Sequence, residues 1–438
     1  MKKIYFFALS TIAGIGLLKA QTPCATGRYA TDTFTNVTTT SNIVFGSNLT
    51  AAGSTQTLTL DFYEPTGDTE TKRPLIIWAH GGSFIFGTKN DGDVVTLSQS
   101  FAKKGFVCAS INYRLGLTPF DSVGAVKAVL RAVQDMKASI RFFYKDKLTS
   151  NTYKIDTNNI FIGGSSAGAI TALHTAYLDK TCEVNYYMND SVINSLGGME
   201  GYSGNQCYSS KVKGVINLCG ALGRYGWIQP GDVPFCSMHG TIDGTVKYNR
   251  GPAAPLGAQL IVLDGSRMLK EQANATGVAN PFYTWYGKDH VPFASSTTYM
   301  DSTVKFVRDF LVSNLGCTDA PLIAPNTPAQ TATLYAYTTC TANVTMACSQ
   351  VGIKELTNNS IISEVYPNPS ENDMTVVFEN SNTTHKIELL DVTGKIISSE
   401  TTYETSIKIK KNNLSAGLYF LKVTNKNGQS TTQKVIFK

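Results

Sequence analysis

Up to about residue 315 the chain alternates two kinds of apolar pattern, and then the pattern changes. Short β-branched runs at 58–63, 74–80, 106–113, 159–163, 214–219, 233–239 and 281–286 read as strands. Between them a helical periodicity runs at 94–104, 122–144, 167–177 and 266–275, with a last helix at 303–315. Strand followed by helix, repeated, predicts an α/β fold with a mostly parallel sheet covered by helices on both faces. Several of the strands are almost wholly apolar, as strands buried on both sides are. A Thr- and Asn-rich opening, 30–54, precedes them.

From 317 to 360 the periodicity stops in a stretch rich in Thr, Ala and Pro, which reads as a linker. Beyond it, 361–438 shows short alternating strands at 375–378, 386–390, 406–409, 417–423 and 433–437, separated by Pro367-Asn368-Pro369 and Thr393-Gly394. That pattern predicts a small β-sandwich. At the other end, 1–20 has a basic start in Lys2 and Lys3, an apolar run at 4–18 and Ala20 before Gln21, the layout of a Sec signal peptide. The expected organisation is therefore a signal at 1–20, a catalytic domain at 21–316, a linker at 317–360 and a C-terminal domain at 361–438. No stretch after the signal is apolar enough to span a membrane.

Composition sharpens this picture. Of 438 residues, 42% are hydrophobic and only 16% charged, well under the roughly 25% of an average soluble protein. Thr, Ser and Asn must carry much of the surface, which suits an exported protein. The net charge of +6 drops to about +3 once Lys2, Lys3 and Lys19 leave with the signal. Lys and Arg are scattered, so no nucleic-acid partner is expected. Nine cysteines, an odd number, imply disulfides with at least one thiol left over. Cys182 with Cys207 and Cys340 with Cys348 flank polar loops and are the expected bridges, and Cys108 lies in an apolar strand as a small buried hydrophobe. Neither a CxxC nor a His/Cys cluster has metal-ligand spacing, so no metal or cofactor is expected.

The sharpest chemical signal is Gly163-Gly164-Ser165-Ser166-Ala167-Gly168, directly after one strand and directly before a helix. A strand-to-helix turn this tight places its central serine in a strained backbone conformation, and glycines two positions either side make room for it. Ser166 is thus a candidate nucleophile. A serine hydroxyl needs a histidine to accept its proton and an acid to orient that histidine. Of five histidines, His385 lies in the C-terminal domain, His174 follows Ser166 on the same helix, and His80 and His239 sit at strand ends in glycine motifs of their own. His290 remains, on a loop between the last strand and the last helix. Asp243, after the strand and Gly turn of Phe235-Cys236-Ser237-Met238-His239-Gly240, falls between nucleophile and base and is the candidate acid. Asp289 adjoins His290 and reads as a solvated charge. His80-Gly81-Gly82-Ser83-Phe84 follows an apolar strand, and its backbone amides offer an oxyanion hole: Gly82 and Ser83, with Ala167 after the nucleophile.

These motifs together make residues from about 58 to 315 similar to the α/β-hydrolases of the carboxylesterase/lipase type. The resemblance rests on HGGSF at 80–84, SINYRLG at 110–116, GGSSAG at 163–168, HGTID at 239–243 and GKDHVPF at 287–293. It implies a secreted serine esterase whose triad is Ser166, Asp243 and His290. Ser83 stands where the family has a third glycine, and no large cap insertion precedes the core, so the substrate stays open among polysaccharide-linked acetyl or feruloyl esters and polyesters. The excursion at 179–210, pinned by the expected Cys182–Cys207 bridge, reads as a small lid. Phe84, Tyr202, Trp227 and Trp285 are the candidate substrate contacts, with Phe86 and Tyr225 as further aromatics. The last 75 or so residues resemble the type A sorting domain of type IX secretion, on YPNP at 366–369, the D-x-x-G-K at 391–395 and GLYFLKV at 417–423. That implies the type IX export machinery as a partner. A prolyl-oligopeptidase-like peptidase shares triad and fold, but the chain shows no blade-period repeat. A noncatalytic surface-binding protein on the same scaffold would have lost triad members, and all are present.

Overall fold

The computed structural model describes residues 23–338, 340, 361–378, 383–426 and 430–438. The expected signal at 1–20 lies outside them. The chain divides into two compact units, Met1–Ser349 and Gln350–Lys438.

In the first unit the elements run β1 (Val37–Leu49), β2 (Thr55–Pro65), β3 (Arg73–Ala79), α1 (Gly92–Lys103), β4 (Val107–Ile111), α2 (Ser122–Leu148), β5 (Ile155–Ser165) and α3 (Ala167–Tyr177). There follow α4 (Thr181–Asn185), α5 (Asp190–Ser195), β6 (Gly214–Leu218), β7 (Ala221–Leu222), β8 (Phe235–Gly240), β9 (Arg250–Ala253), β10 (Ile261–Gly265), α6 (Ser266–Thr276), β11 (Phe282–Trp285) and α7 (Thr297–Asn314). Eight strands form one sheet in the order β1-β2-β4-β3-β5-β6-β8-β11. Pairing is antiparallel from β1 to β4 and parallel from there to β11. This is the α/β-hydrolase sheet, with every parallel strand delivering its C-terminal end to the same edge.

The central strand β3 is buried along its whole length, and its side chains alternate between two cores. Leu75, Ile77 and Ala79 pack with α2, α3 and α6. Ile76 and Trp78 pack with α1 and α7 on the other face. Among the elements that depart from the sequence reading, two do so for plain physical reasons. β1 is a long edge strand whose Thr-rich residues are mostly exposed, so it carries no apolar alternation to read. Helix α7 starts six residues earlier than its apolar periodicity, because the Ser296 side chain accepts from the Tyr299 N–H and caps it there.

The stretch expected as a linker begins as part of this unit. Asn326 pairs with both backbone groups of Thr284 at 2.7 and 3.0 Å, and Leu334, Tyr335 and Tyr337 pack onto the core. Its apolar residues follow no helix or strand period because they serve as a strap over existing structure. The bridges also differ from those expected. Cys182 joins Cys340, and Cys24 joins Cys317, so neither Cys182–Cys207 nor Cys340–Cys348 forms. Loop polarity says nothing about which distant thiols packing brings together. Cys108, Cys219 and Cys236 are buried free thiols.

The second unit contains β12 (Ile362–Tyr366), β13 (Asp373–Phe378), β14 (His385–Leu390), β15 (Ile396–Thr402), β16 (Ser406–Lys410), β17 (Gly417–Asn425) and β18 (Ser430–Phe437). They form two antiparallel sheets, β12-β13-β16 and β15-β14-β17-β18, around a core that includes Met374, Val376, Leu389, Leu421 and Val435. Among the described residues no helix is long and apolar enough to cross a membrane.

Candidate active site

Ser166 occupies the turn between β5 and α3 at φ 54°, ψ −117°, a strained conformation for a residue with a Cβ. Two close approaches enforce it. A Cβ on Gly164 would lie 2.4 Å from the Ala79 carbonyl oxygen, and one on Gly168 would lie 2.0 Å from the same atom. The turn can therefore press against the end of β3 only with glycine at both places. The Ser166 N–H donates to the Leu218 carbonyl at 2.9 Å, which fixes the turn to β6. Before it, the Ser165 hydroxyl donates to the Asp93 carboxylate at 2.5 Å.

His290 and Asp243 reach this turn from the two strands beyond. His290 Nε2 lies 2.7 Å from Ser166 Oγ, and His290 Nδ1 lies 2.7 Å from Asp243 Oδ2. The other carboxylate oxygen accepts the N–H groups of Thr245 and Val246 at 2.9 and 2.8 Å. Burial alone would push the Asp243 carboxyl up, but the hydrogen bonds from His239 and His290 outweigh it and hold the group well below the usual carboxylate range. Asp289 is exposed, as a solvated charge is, and it also has structural partners. Its Oδ1 accepts the N–H of Gly244 at 2.8 Å and of His290 at 2.7 Å, so it ties the acid loop to the histidine loop.

A second histidine touches the same carboxylate. His239 Nε2 is 3.1 Å from Asp243 Oδ2 and 2.9 Å from the Val246 carbonyl oxygen. Both neighbours are acceptors, so this nitrogen carries the proton. Its Nδ1 is 2.7 Å from the hydroxyl of Ser266, the first residue of α6, and that hydroxyl also meets Asn217 and the Gly220 carbonyl. A wholly buried chain of polar groups thus supports the carboxylate from behind. In sequence His239 reads only as part of a glycine motif, and its place four residues before Asp243 is the signal that it serves the acid.

The oxyanion candidates lie at the same spot. Gly82, Ser83 and Phe84 turn with φ of 101°, 58° and 60°, and the preceding Gly81 approaches Ser166 closely enough that a Cβ there would meet Ser166 Cβ at 3.5 Å. Ala167 opens α3, whose leading N–H groups have no intrahelical acceptor. His80 stacks on Tyr113 with ring centroids 4.3 Å apart, and the Tyr113 hydroxyl donates to the His80 carbonyl at 2.9 Å, which braces the segment. Cys219, Asp243 and His290 form the one group of metal-ligating side chains in reach of each other among the described residues. Its chemistry does not fit an ion: Asp243 and His290 spend those atoms on one another, and burial pushes the Cys219 thiol far up, away from thiolate.

On the far side of Ser166 lies a cleft of about 880 Å³, open mouth included. Its walls come from α2 (Ala125, Val126, Val129, Leu130), from α3 (Ala167, Ile170, His174) and from the β9–β10 hairpin (Ala253, Ile261, Leu263). Of the aromatic candidates, Phe84 and Trp227 stand in the wall. Trp285 does not; it is buried against Phe293 on the opposite face of the sheet. Tyr202 is 71% exposed and lines nothing there. Residue type alone cannot tell one face of a sheet from the other. The 179–210 excursion contributes Val184 and Tyr187 to the wall, and is fastened through Cys182 to Cys340.

Residues 60–223 match the BD-FAE family, and residues 364–438 match the secretion system C-terminal sorting domain. The chain is 27% identical to Esterase E4 of Myzus persicae over 183 residues, which are 41% of this chain and 32% of that protein. It is 33% identical to Carboxylesterase 3B of Mus musculus over 115 residues, 26% of this chain and 19% of that one. The chain thus spans a third or less of the length of the curated relatives it matches. Among solved structures, esterase 2 of Thermogutta terrifontis phosphorylated by paraoxon aligns with 64% of this chain and 96% of its own, at 19% identity and a TM-score of 0.47. The unit with the α/β-hydrolase fold thus carries the BD-FAE match, and the C-terminal unit carries the match to the secretion system C-terminal sorting domain.

Proposed function

We propose that this protein is an exported carboxylic ester hydrolase working through an acyl-enzyme on Ser166. The observation that carries the reading is the unbroken hydrogen-bonded line from Ser166 Oγ through both ring nitrogens of His290 to Asp243, each link 2.7 Å. In this reading His290 Nε2 takes the Ser166 proton as Oγ attacks the ester carbonyl. Asp243, kept ionised by its hydrogen bonds, holds Nδ1–H and stabilises the imidazolium that forms. The N–H groups of Gly82, Ser83 and Ala167 receive the charge on the carbonyl oxygen. His290 then returns its proton to the leaving alcohol, and water, activated by the same ring, releases the acid. The esterase names among the relatives support the reaction class, and the sorting domain supports export through the type IX machinery. Export suits an ester borne on a large carrier, a polysaccharide or a polyester. The test is hydrolysis of p-nitrophenyl acetate and butyrate together with labelling by a fluorophosphonate probe. Full activity in Ser166→Ala, or no labelling of Ser166, would sink the reading.

A further inference from the structure

Resting on that reading, we propose that the cleft beside Ser166 binds an unbranched, unsubstituted hydrocarbon acyl chain of medium length, in preference to acetyl or feruloyl groups. The cleft begins at the reacting atoms, since Ser83, Ser166 and Ala167 are part of its wall. From there it follows one side of α3. Ala167, Ile170, His174 and Leu178 all line it, at the spacing that puts them on one stripe of a helix. At 1.5 Å per residue that stripe reaches about 16 Å from the nucleophile, and Val184 continues it.

Along α3 this path offers a substrate no spare polar side chain: His174 is used by the Ile170 carbonyl at 2.8 Å and the Gly223 N–H at 3.2 Å, Tyr187 by the Gly223 carbonyl at 3.0 Å and Trp227 by Tyr337, while Thr245 stands beside the acid with its N–H on Asp243. A feruloyl ring would bring a phenolic hydroxyl into hydrocarbon with no partner to take it, which penalises binding. An acetyl group would meet no clash but would leave most of the wall unused. A saturated chain gains with every methylene that leaves water, until the slot is full.

The experiment is a series of p-nitrophenyl esters from acetate to dodecanoate on the full chain. The expected result is a kcat/KM that climbs about fourfold per added methylene, peaks between hexanoate and decanoate, and falls beyond. Val184→Phe should cut the octanoate-to-acetate ratio by tenfold or more. Should that variant not fold, competitive inhibition of the unaltered protein by methyl- through octylboronic acid decides, with tighter inhibition expected for longer chains. A flat or falling series, or methyl ferulate turned over better than octanoate, overturns the proposal. Acetate turnover with a flat series removes only the chain-binding site, whereas no turnover of any ester removes the hydrolase reading beneath it.

Discussion

The two sides of Ser166 are built on opposite physical principles. On one side, Asp243, His290 and His239 form a buried polar cluster in which every link is a directed hydrogen bond of 2.7 to 3.1 Å. On the other, Ile170, Val129, Leu130 and Leu263 form a wall in which only volume and apolarity matter. A directed network fails when a single atom is wrong, because the partner left behind is buried and unsatisfied. A hydrocarbon wall responds in proportion to the volume changed. The nucleophile therefore sits between a switch-like half and a graded half, and substitutions on the two sides should differ in kind as well as size.

Ser166→Ala should have the largest effect, a loss of kcat on the order of 10^4 or more against p-nitrophenyl butyrate; the polar side has no meaning without its terminal hydroxyl. Asp243→Asn should follow at about 10^3- to 10^4-fold, with a lower Tm as well, since whichever way the amide is turned its NH2 faces buried donors. A fall in Tm with kcat kept would mean that the carboxylate is chiefly structural. The next effect concerns stability and comes from the apolar side. Burial pulls the His174 imidazole down to about 4, against the opposing hydrogen bond to Ile170. The neutral ring is favoured only in the folded state, so its contribution is whole above about pH 6.5 and is lost as pH falls toward 4, about 3 kcal/mol in all. Tm should drop with acidification across that window, and His174→Gln should flatten the drop; an unchanged slope would refute the assignment.

His239→Leu should cost about tenfold in kcat/KM, with a diagnostic shift in the pH profile. The His239 hydrogen bond helps to hold the Asp243 carboxyl low, so without that donor the carboxyl rises and the acid limb should move to higher pH. His239→Gln, which can still donate, should restore both. A tenfold loss with an unmoved limb would show that His239 only fills space. Smallest of all, Ile170→Val should cost about 1 kcal/mol of stability and change acyl preference slightly, measured by denaturant midpoint and by the octanoate-to-acetate ratio. A cost as sharp as that of His239→Leu would break the comparison from which it is drawn.

The same contrast governs what could be read beforehand. The nucleophile turn was legible because its requirements are local: a strand, a helix and glycines two residues either side of Ser166. His290 and Asp243 emerged from chain order and elimination, and the structure places them on one line with Ser166. The apolar half was legible only in part. The stripe Ala167, Ile170, His174 and Leu178 is visible as a helical period, but the sequence does not say whether such a stripe meets a neighbouring helix or an empty slot. Tyr202 and Trp285 lie outside the cleft for that reason, since their positions depend on the face of the sheet and the course of a loop. The disulfides are the extreme case: Cys182 and Cys340 are 158 residues apart, and their meeting depends on the whole intervening fold.

That last pairing also fixes an order of assembly. Cys182 sits on the short helix that carries Val184 into the cleft wall, while Cys340 is among the last residues of its unit to leave the ribosome. Until the strap at 318–338 has crossed the hydrolase unit, the far wall of the cleft is held without a covalent tie, by packing and by hydrogen bonds such as that of Tyr187 to Gly223. A reducing cytoplasm keeps it so, and an oxidising compartment fastens it. The covalent step that fastens the cleft wall thus belongs to an oxidising compartment and not to a reducing one.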